Sequence, residues 1–198
     1  MECRRLAERK FGKMMNMEEQ ARYHIETVGG CVFWMRYLEG GVFEMGSDNV
    51  GLAQDVEGPL HKVELSPYYL GEYPVTQALW ESVMGSGNNP SWFIGENRPV
   101  ERVSWIDIVE GNQNGDGQLA FLQELNEATE ATRPAGYKYR LPTEAEWEHA
   151  ARGGRQLNMD LLHTGLPYEY AGSDQLKEVG WFNENSHGET KAVGLKWA

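Results

Sequence analysis

Glycine and proline recur along this chain at short intervals, 23 and 8 of them spread over 198 residues, and such punctuation leaves room for many turns and short elements but not for a bundle of long helices. The stretches between the breaks read accordingly. From Cys31 onward short strands are expected over 32–38, 41–45, 62–65 and 68–70, each closed by Gly, Pro or Ser. In Gly41-Val42-Phe43-Glu44-Met45 the period of two places Phe43 and Met45 on the inward face. A helix is expected from Thr76, whose hydroxyl caps a turn carrying Leu79, Trp80 and Val83, and it ends at Gly85. A second begins at Ser104, with Ser104 and Asp107 in a capping arrangement. The strongest local signal is Leu141 to Gly153, where Pro142 stops a strand, Thr143 and Glu146 form a capping box and Gly153 closes the helix.

Composition fixes the broad class. With 40% hydrophobic residues, including 7 Trp, 9 Tyr and 6 Phe, one domain of this length can bury a core. The formal charge is −12, and it is uneven: residues 1–24 hold six basic and four acidic side chains, the remainder twelve basic against twenty-six acidic. No nucleic-acid partner is expected, because phosphate binding needs a concentrated basic surface. The acidity reads as solubility, with an acidic groove for cations or basic peptides as the alternative, and a protein or peptide ligand is the partner class kept open. Only Cys3 and Cys31 are present, without metal-ligand spacing, and Cys31 reads as a buried thiol. Residues 1–29 read as a charged, Met-rich leader, helical from Cys3 to about His24 and ended by Gly29-Gly30, with the domain proper over 30–198. The N-terminus lacks a secretory pattern and no apolar run reaches the roughly 20 residues of a membrane helix, so no membrane partner is expected and the default location is the cytoplasm.

Six segments, taken in order, resemble the formylglycine-generating-enzyme or sulfatase-modifying-factor domain. They are Gly40-Gly41-Val42-Phe43-Glu44-Met45-Gly46-Ser47; Glu57, Pro59 and His61; Tyr73-Pro74-Val75-Thr76-Gln77-Ala78-Leu79-Trp80; Asn89-Pro90-Ser91; Arg98 to Trp105; and Tyr139 to Glu148. The resemblance implies an α+β, C-type-lectin-like fold, with twisted antiparallel short strands, two or three helices and long loops. It also implies copper held by a pair of cysteines near the domain's C-terminus, oxygen activation, and oxidation of a sulfatase cysteine to formylglycine. Thiolates suit Cu(I), yet neither Cys3 nor Cys31 falls at a matching position, so no catalytic residue is carried over. Copper is expected only where such cysteines are supplied. A related branch, which works on iron through His-x-x-x-His-x-Glu, finds no such spacing among His24, His61, His149, His163 and His187.

Gly194 to Ala198 resembles the residues just before a family segment, so the fold is expected to be incomplete at the C-terminus. A core open on one side would then favour self-association. Two insertions are expected relative to the family, Gly111 to Ala120 and about Glu130 to Ala135. The first contains Asn112, Asn114 and Asp116, with oxygen donors at alternate positions and Gly117 at the turn, a candidate calcium loop. Asn183 and Glu184 lie in a region where the family carries calcium ligands and form a second candidate. His61 is expected to satisfy a loop carbonyl, and Glu144, Glu146 and Glu148, two apart on a helix, cannot converge. Three functions follow: a formylglycine-generating-enzyme-like domain that is non-catalytic in these residues, a ligand-binding display module on a lectin-like scaffold, or an architectural part.

Overall fold

The computed structural model describes residues 22–47, 58–111, 119–154 and 170–196. Five strands run Tyr23–Val28 (β1), Cys31–Leu38 (β2), Gly41–Met45 (β3), His61–Leu65 (β4) and Tyr68–Gly71 (β5). Three helices of two turns follow, Gln77–Met84 (α1), Phe121–Ala128 (α2) and Glu144–Ala151 (α3), with one-turn helices at Leu176–Val179 (α4) and Asn183–Ser186 (α5). β1 pairs antiparallel with β2, and β3 antiparallel with β4. This is the α+β arrangement of short strands and few helices that the sequence predicts. No described helix is long and apolar enough to cross a membrane.

The start of the chain differs from expectation. A helix reaching His24 does not form, because Tyr23–Val28 is strand β1, antiparallel to β2 from Tyr23↔Arg36 to Val28↔Cys31. Ile25, Thr27 and Val28 are β-branched and suit a pleated surface. Gly29-Gly30 therefore joins two strands instead of ending a leader. Both glycines have positive φ, 56° and 82°, as a two-residue hairpin turn of the right twist requires. Residues 1–21, the rest of the expected leader, lie outside the described residues.

The described residues fall into two compact units: one holds those up to Arg36, Gly71–Leu141 and Trp181–Lys196, the other Tyr37–Leu70 and Pro142–Gly180. The first unit is built on an apolar cluster of Val28, Cys31, Leu79, Trp80, Phe121 and Leu125. Trp80 stacks on Phe121 with centroids 4.9 Å apart and planes 3° from parallel. Cys31 is 4% exposed, as expected of a buried thiol. A buried carboxylate, Glu26, ties β1 to the segment after α2: it accepts from Thr132 Oγ1 at 2.8 Å and from the Thr27 amide at 3.0 Å. Burial pushes its pKa up, but hydrogen bonds from Thr132, Thr27 and His24 outweigh that and hold it below the usual carboxylate value. The 130–135 insertion is laced by Arg133, which donates to Asn126 O at 2.8 Å and Tyr137 O at 2.6 Å.

In the second unit Phe43 is buried and Val42 exposed, as the period of two predicts, while Glu44 and Met45 are both half-buried. α3 packs on this hairpin. Its capping box is formed as predicted, with Glu146 N donating to Thr143 Oγ1 at 3.2 Å and Thr143 N to Glu146 Oε2 at 2.8 Å. The helix closes with Gly153 N to Ala150 O and Gly154 N to His149 O, at 2.9 and 2.8 Å, and Gly153 takes φ 90°, the left-handed closure that glycine accepts without strain. Glu148 does not serve a carboxylate pair. It accepts from Gly46 N at 2.9 Å and pairs with Arg152 at 2.5 Å.

Candidate functional site

The N-terminus of α1 leaves backbone N–H groups without partners inside the helix, and this sequence satisfies them with its own loop. Thr76 Oγ1 accepts from Leu79 N at 3.2 Å, as its capping position predicts. Gln77 N and Ala78 N donate to Arg98 O and Glu96 O at 2.9 and 3.0 Å. The loop 89–101 is thereby fastened across the helix end.

Gln77 holds that loop from inside. Its side chain is 0% exposed, and every polar position of its amide is occupied. Nε2 donates to Phe93 O at 2.8 Å and Pro99 O at 3.2 Å, while Oε1 accepts from Asn89 Nδ2 at 2.9 Å and Gly95 N at 3.0 Å. Glu101 clamps the outer strand of the loop, its Oε1 accepting from Trp92 N at 2.5 Å and Phe93 N at 2.9 Å. Asn89 Oδ1 turns the chain by accepting from Ser91 N at 3.1 Å. On the other side Arg98 reaches Glu189 at 3.0 Å and the Thr190 carbonyl, and Val193 N donates to Asn97 O at 2.9 Å. Lys191 and Arg98 together hold the Glu189 carboxyl below its ordinary pKa.

A loop so fully bonded can present side chains without collapsing onto them. Trp92 is 72% exposed and Ile94 69%, although both are large apolar residues. Arg102 lies with its guanidinium carbon 5.9 Å from the Trp92 ring centroid, a cation–π distance. Its backbone is held at φ 61°, a region that costs a non-glycine residue about 1 kcal/mol or more. Trp105 and Ile106, also exposed, follow in the same unit. Ile106–Glu110 forms a π-helical turn in place of the expected α-helix. The predicted Ser104–Asp107 cap is present, at 2.7 and 3.2 Å, and the bonds from the Ser104 hydroxyl and amide hold Asp107 below the usual carboxylate range. The wider winding closes at Gly111, φ 75°, whose N–H donates to Ile106 O at 2.8 Å.

The other sequence candidates are scattered. Asn112, Asn114 and Asp116 lie outside the described residues. Asn183 and Glu184 occupy the first turn of α5, both exposed. Among the described residues no three His, Cys, Asp or Glu side chains gather as a cation site. His61 Nδ1 meets Pro59 O at 2.8 Å, the loop-carbonyl role expected of it. The copper implied by the resemblance is not matched by the donors described: Cys31 belongs to the apolar cluster with Leu79, Trp80 and Phe121, and Cys3 lies outside the described residues. A cavity of about 240 Å³ is lined by Trp80, Met84, Asn88, Arg102 and Asp107 among others, but Trp80 Nε1 is fully buried and without a partner.

The sequence singled out Asn89-Pro90-Ser91 and Arg98 to Trp105 as motifs, but gave no role to Gln77, Trp92, Ile94 or Glu101. The available signal was a glutamine directly after a helix cap, in a turn otherwise apolar, with two Asn/Pro-rich segments downstream for it to bond.

Comparison with known proteins bears on what such a loop is for. The profile described as "Sulfatase-modifying factor enzyme 1-like domain" matches residues 32–194. The chain is 35% identical over 181 residues to a protein named chaperone protein LppX from Paenibacillus barcinonensis, covering 79% of this chain and 55% of that one. It is 28% identical over 211 residues to the formylglycine-generating enzyme of Bos taurus, covering 81% and 55%. The chain thus spans about half the length of these curated relatives. Among solved structures, Treponema denticola variable protein 1 superposes with a TM-score of 0.64 at 27% identity, over 88% of this chain and 69% of that one.

Proposed function

Because this chain belongs to the sulfatase-modifying factor enzyme 1-like family and has its α+β, C-type-lectin-like fold, we propose that these residues form a polypeptide-recognition module whose reading surface is the loop 89–101. The observation that carries this is the pairing of opposites in one loop. Its backbone is fixed by Gln77 and Glu101, while Trp92 and Ile94 stand 72% and 69% exposed. Exposed aromatic side chains on a preorganised loop bind at low entropic cost, because the ordering is complete before the partner arrives. Tryptophan is among the residues that most often dominate such interfaces.

The relatives support a polypeptide as the ligand. One is named a chaperone and another a formylglycine-generating enzyme, and the family resemblance implies a sulfatase cysteine, itself part of a polypeptide, as the group acted on. A second reading, formylglycine formation by a whole protein, is favoured by the match to that enzyme over 81% of this chain. On that reading these residues hold the polypeptide and the copper-binding thiolates come from elsewhere; the residues described here supply recognition and no oxidation.

The test is a selection from a random peptide library displayed on phage against the immobilised full chain, followed by affinity measurements on the resynthesised peptide. Trp92→Ala with Ile94→Ala is expected to weaken binding about 30-fold or more, the loss typical of a truncated hot spot at about 2 kcal/mol. The melting midpoint stays unchanged, since both side chains are mostly exposed. Affinity equal to the parent's, or failure to select any peptide, would count against the proposal.

A further inference from the structure

His149 is 1% exposed in the core of the second unit. Its ring lies 5.1 Å from that of Phe43 and 6.0 Å from that of Tyr68. The Tyr68 hydroxyl has one hydrogen, and it is donated to Glu146 O at 2.8 Å. Turned toward His149 instead, that hydrogen would leave two oxygens facing each other at hydrogen-bond distance. The Tyr68 oxygen therefore accepts at 2.9 Å from His149 Nδ1, which fixes the neutral ring as the Nδ1–H tautomer. The lone pair is left on Nε2, which is buried and has no partner.

Any proton taken up must then go to Nε2, creating a charged N–H with no acceptor. Among the described residues the surrounding elements place no carboxylate in hydrogen-bond contact with Nε2. On α3 itself the Glu146 carboxylate is bonded to Thr143, and Glu148 to Gly46 N and Arg152. On β3 and β4, Glu44, Lys62 and Glu64 occupy the register positions of the face opposite Phe43 and Val63. His61, which shares the Phe43 face, is exposed and bonded to Pro59 O. Glu39, just past β2, and Glu144 are exposed. β5 brings Tyr68, which burial and the Glu146 carboxylate push up to about 12, so it stays neutral.

We propose that His149 is an acid-sensitive latch, through which mild acid loosens the packing of α3 on the β3–β4 hairpin. Burial lowers its pKa in the folded chain. The stability it permits is complete above the unfolded-state value and declines as pH falls toward the folded one, because only the unfolded chain takes up the proton. The fall starts near pH 6.5, about two units above the range in which Glu26 responds.

The experiment compares thermal and urea unfolding of the full chain and of His149→Phe, at pH about 7.5 and about 5. The parent's folding constant is expected to drop as pH falls below about 6.5, by up to about tenfold per pH unit, in excess of any change in the variant. The remaining histidines are common to both proteins and cancel. A pH profile for His149→Phe identical to the parent's overturns the proposal. Should the variant not fold, the ¹⁵N resonances of His149 in the parent decide: the Nδ1–H pattern persists until the unit unfolds, whereas an imidazolium formed with the α3 amides still protected would overturn it.

Discussion

Replacing Gln77 by alanine is expected to destabilise the chain by about 3–5 kcal/mol, the sum of several buried polar groups left unpaired at about 1–3 kcal/mol each and partly rehydrated. The partners stranded are Phe93 O, Pro99 O, Asn89 Nδ2 and Gly95 N. All four lie in one loop, so the damage is local before it is global. Amide exchange at Trp92, Phe93 and Gly95 should accelerate first, and the urea midpoint should fall. Gln77→Glu is a sharper variant: it keeps the shape and the two accepted bonds but deletes the donor to Phe93 O and Pro99 O, and it adds a buried charge. A loss under about 1 kcal/mol for Gln77→Ala would mean that the loop stands without its hub.

Trp80→Ala is expected to cost about 3–5 kcal/mol, the range for emptying a buried aromatic site, out of a total stability of about 5–15 kcal/mol. Trp80 is 4% exposed and stacked on Phe121 in the centre of the apolar cluster. Trp80→Phe should behave quite differently. It retains a ring against Phe121 and removes an indole N–H that is buried without an acceptor, so the volume lost is offset by a desolvation penalty relieved, about 1–3 kcal/mol. The net change expected is within about 1 kcal/mol, read from thermal midpoints of the three proteins. Equal losses for both variants would show that the N–H is satisfied in solution.

Local chemistry was legible in the sequence and long-range bonding was not. Thr76 and the Thr143–Glu146 box cap their helices as their spacing dictates, and the period of two in β3 buries Phe43. His61 bonds a carbonyl two residues away, within reach of a local argument. The β1 strand was missed because its register is set across the Gly29-Gly30 turn by β2 and by Glu26, whose hydroxyl partner Thr132 is 106 residues distant. The π-helical turn escaped because α and π winding start from the same capping signal at Ser104 and Asp107. The same reason hid the loop 89–101: Gln77 acts on residues 12 to 22 positions away, and exposure of Trp92 runs against the expectation that a large apolar residue is buried.

On the proposed function, Trp92 meets a polypeptide while its loop stays fixed. The direct measurement is a titration of the ¹⁵N-labelled full chain with the selected peptide, following the indole N–H resonances of its 7 tryptophans. The predicted result is a saturable shift of the Trp92 indole, with those of Trp147 and Trp181, also exposed, unmoved and the Trp92 and Phe93 amides still protected. A bound peptide that leaves the Trp92 indole in place and moves those of Trp147 or Trp181 would contradict it.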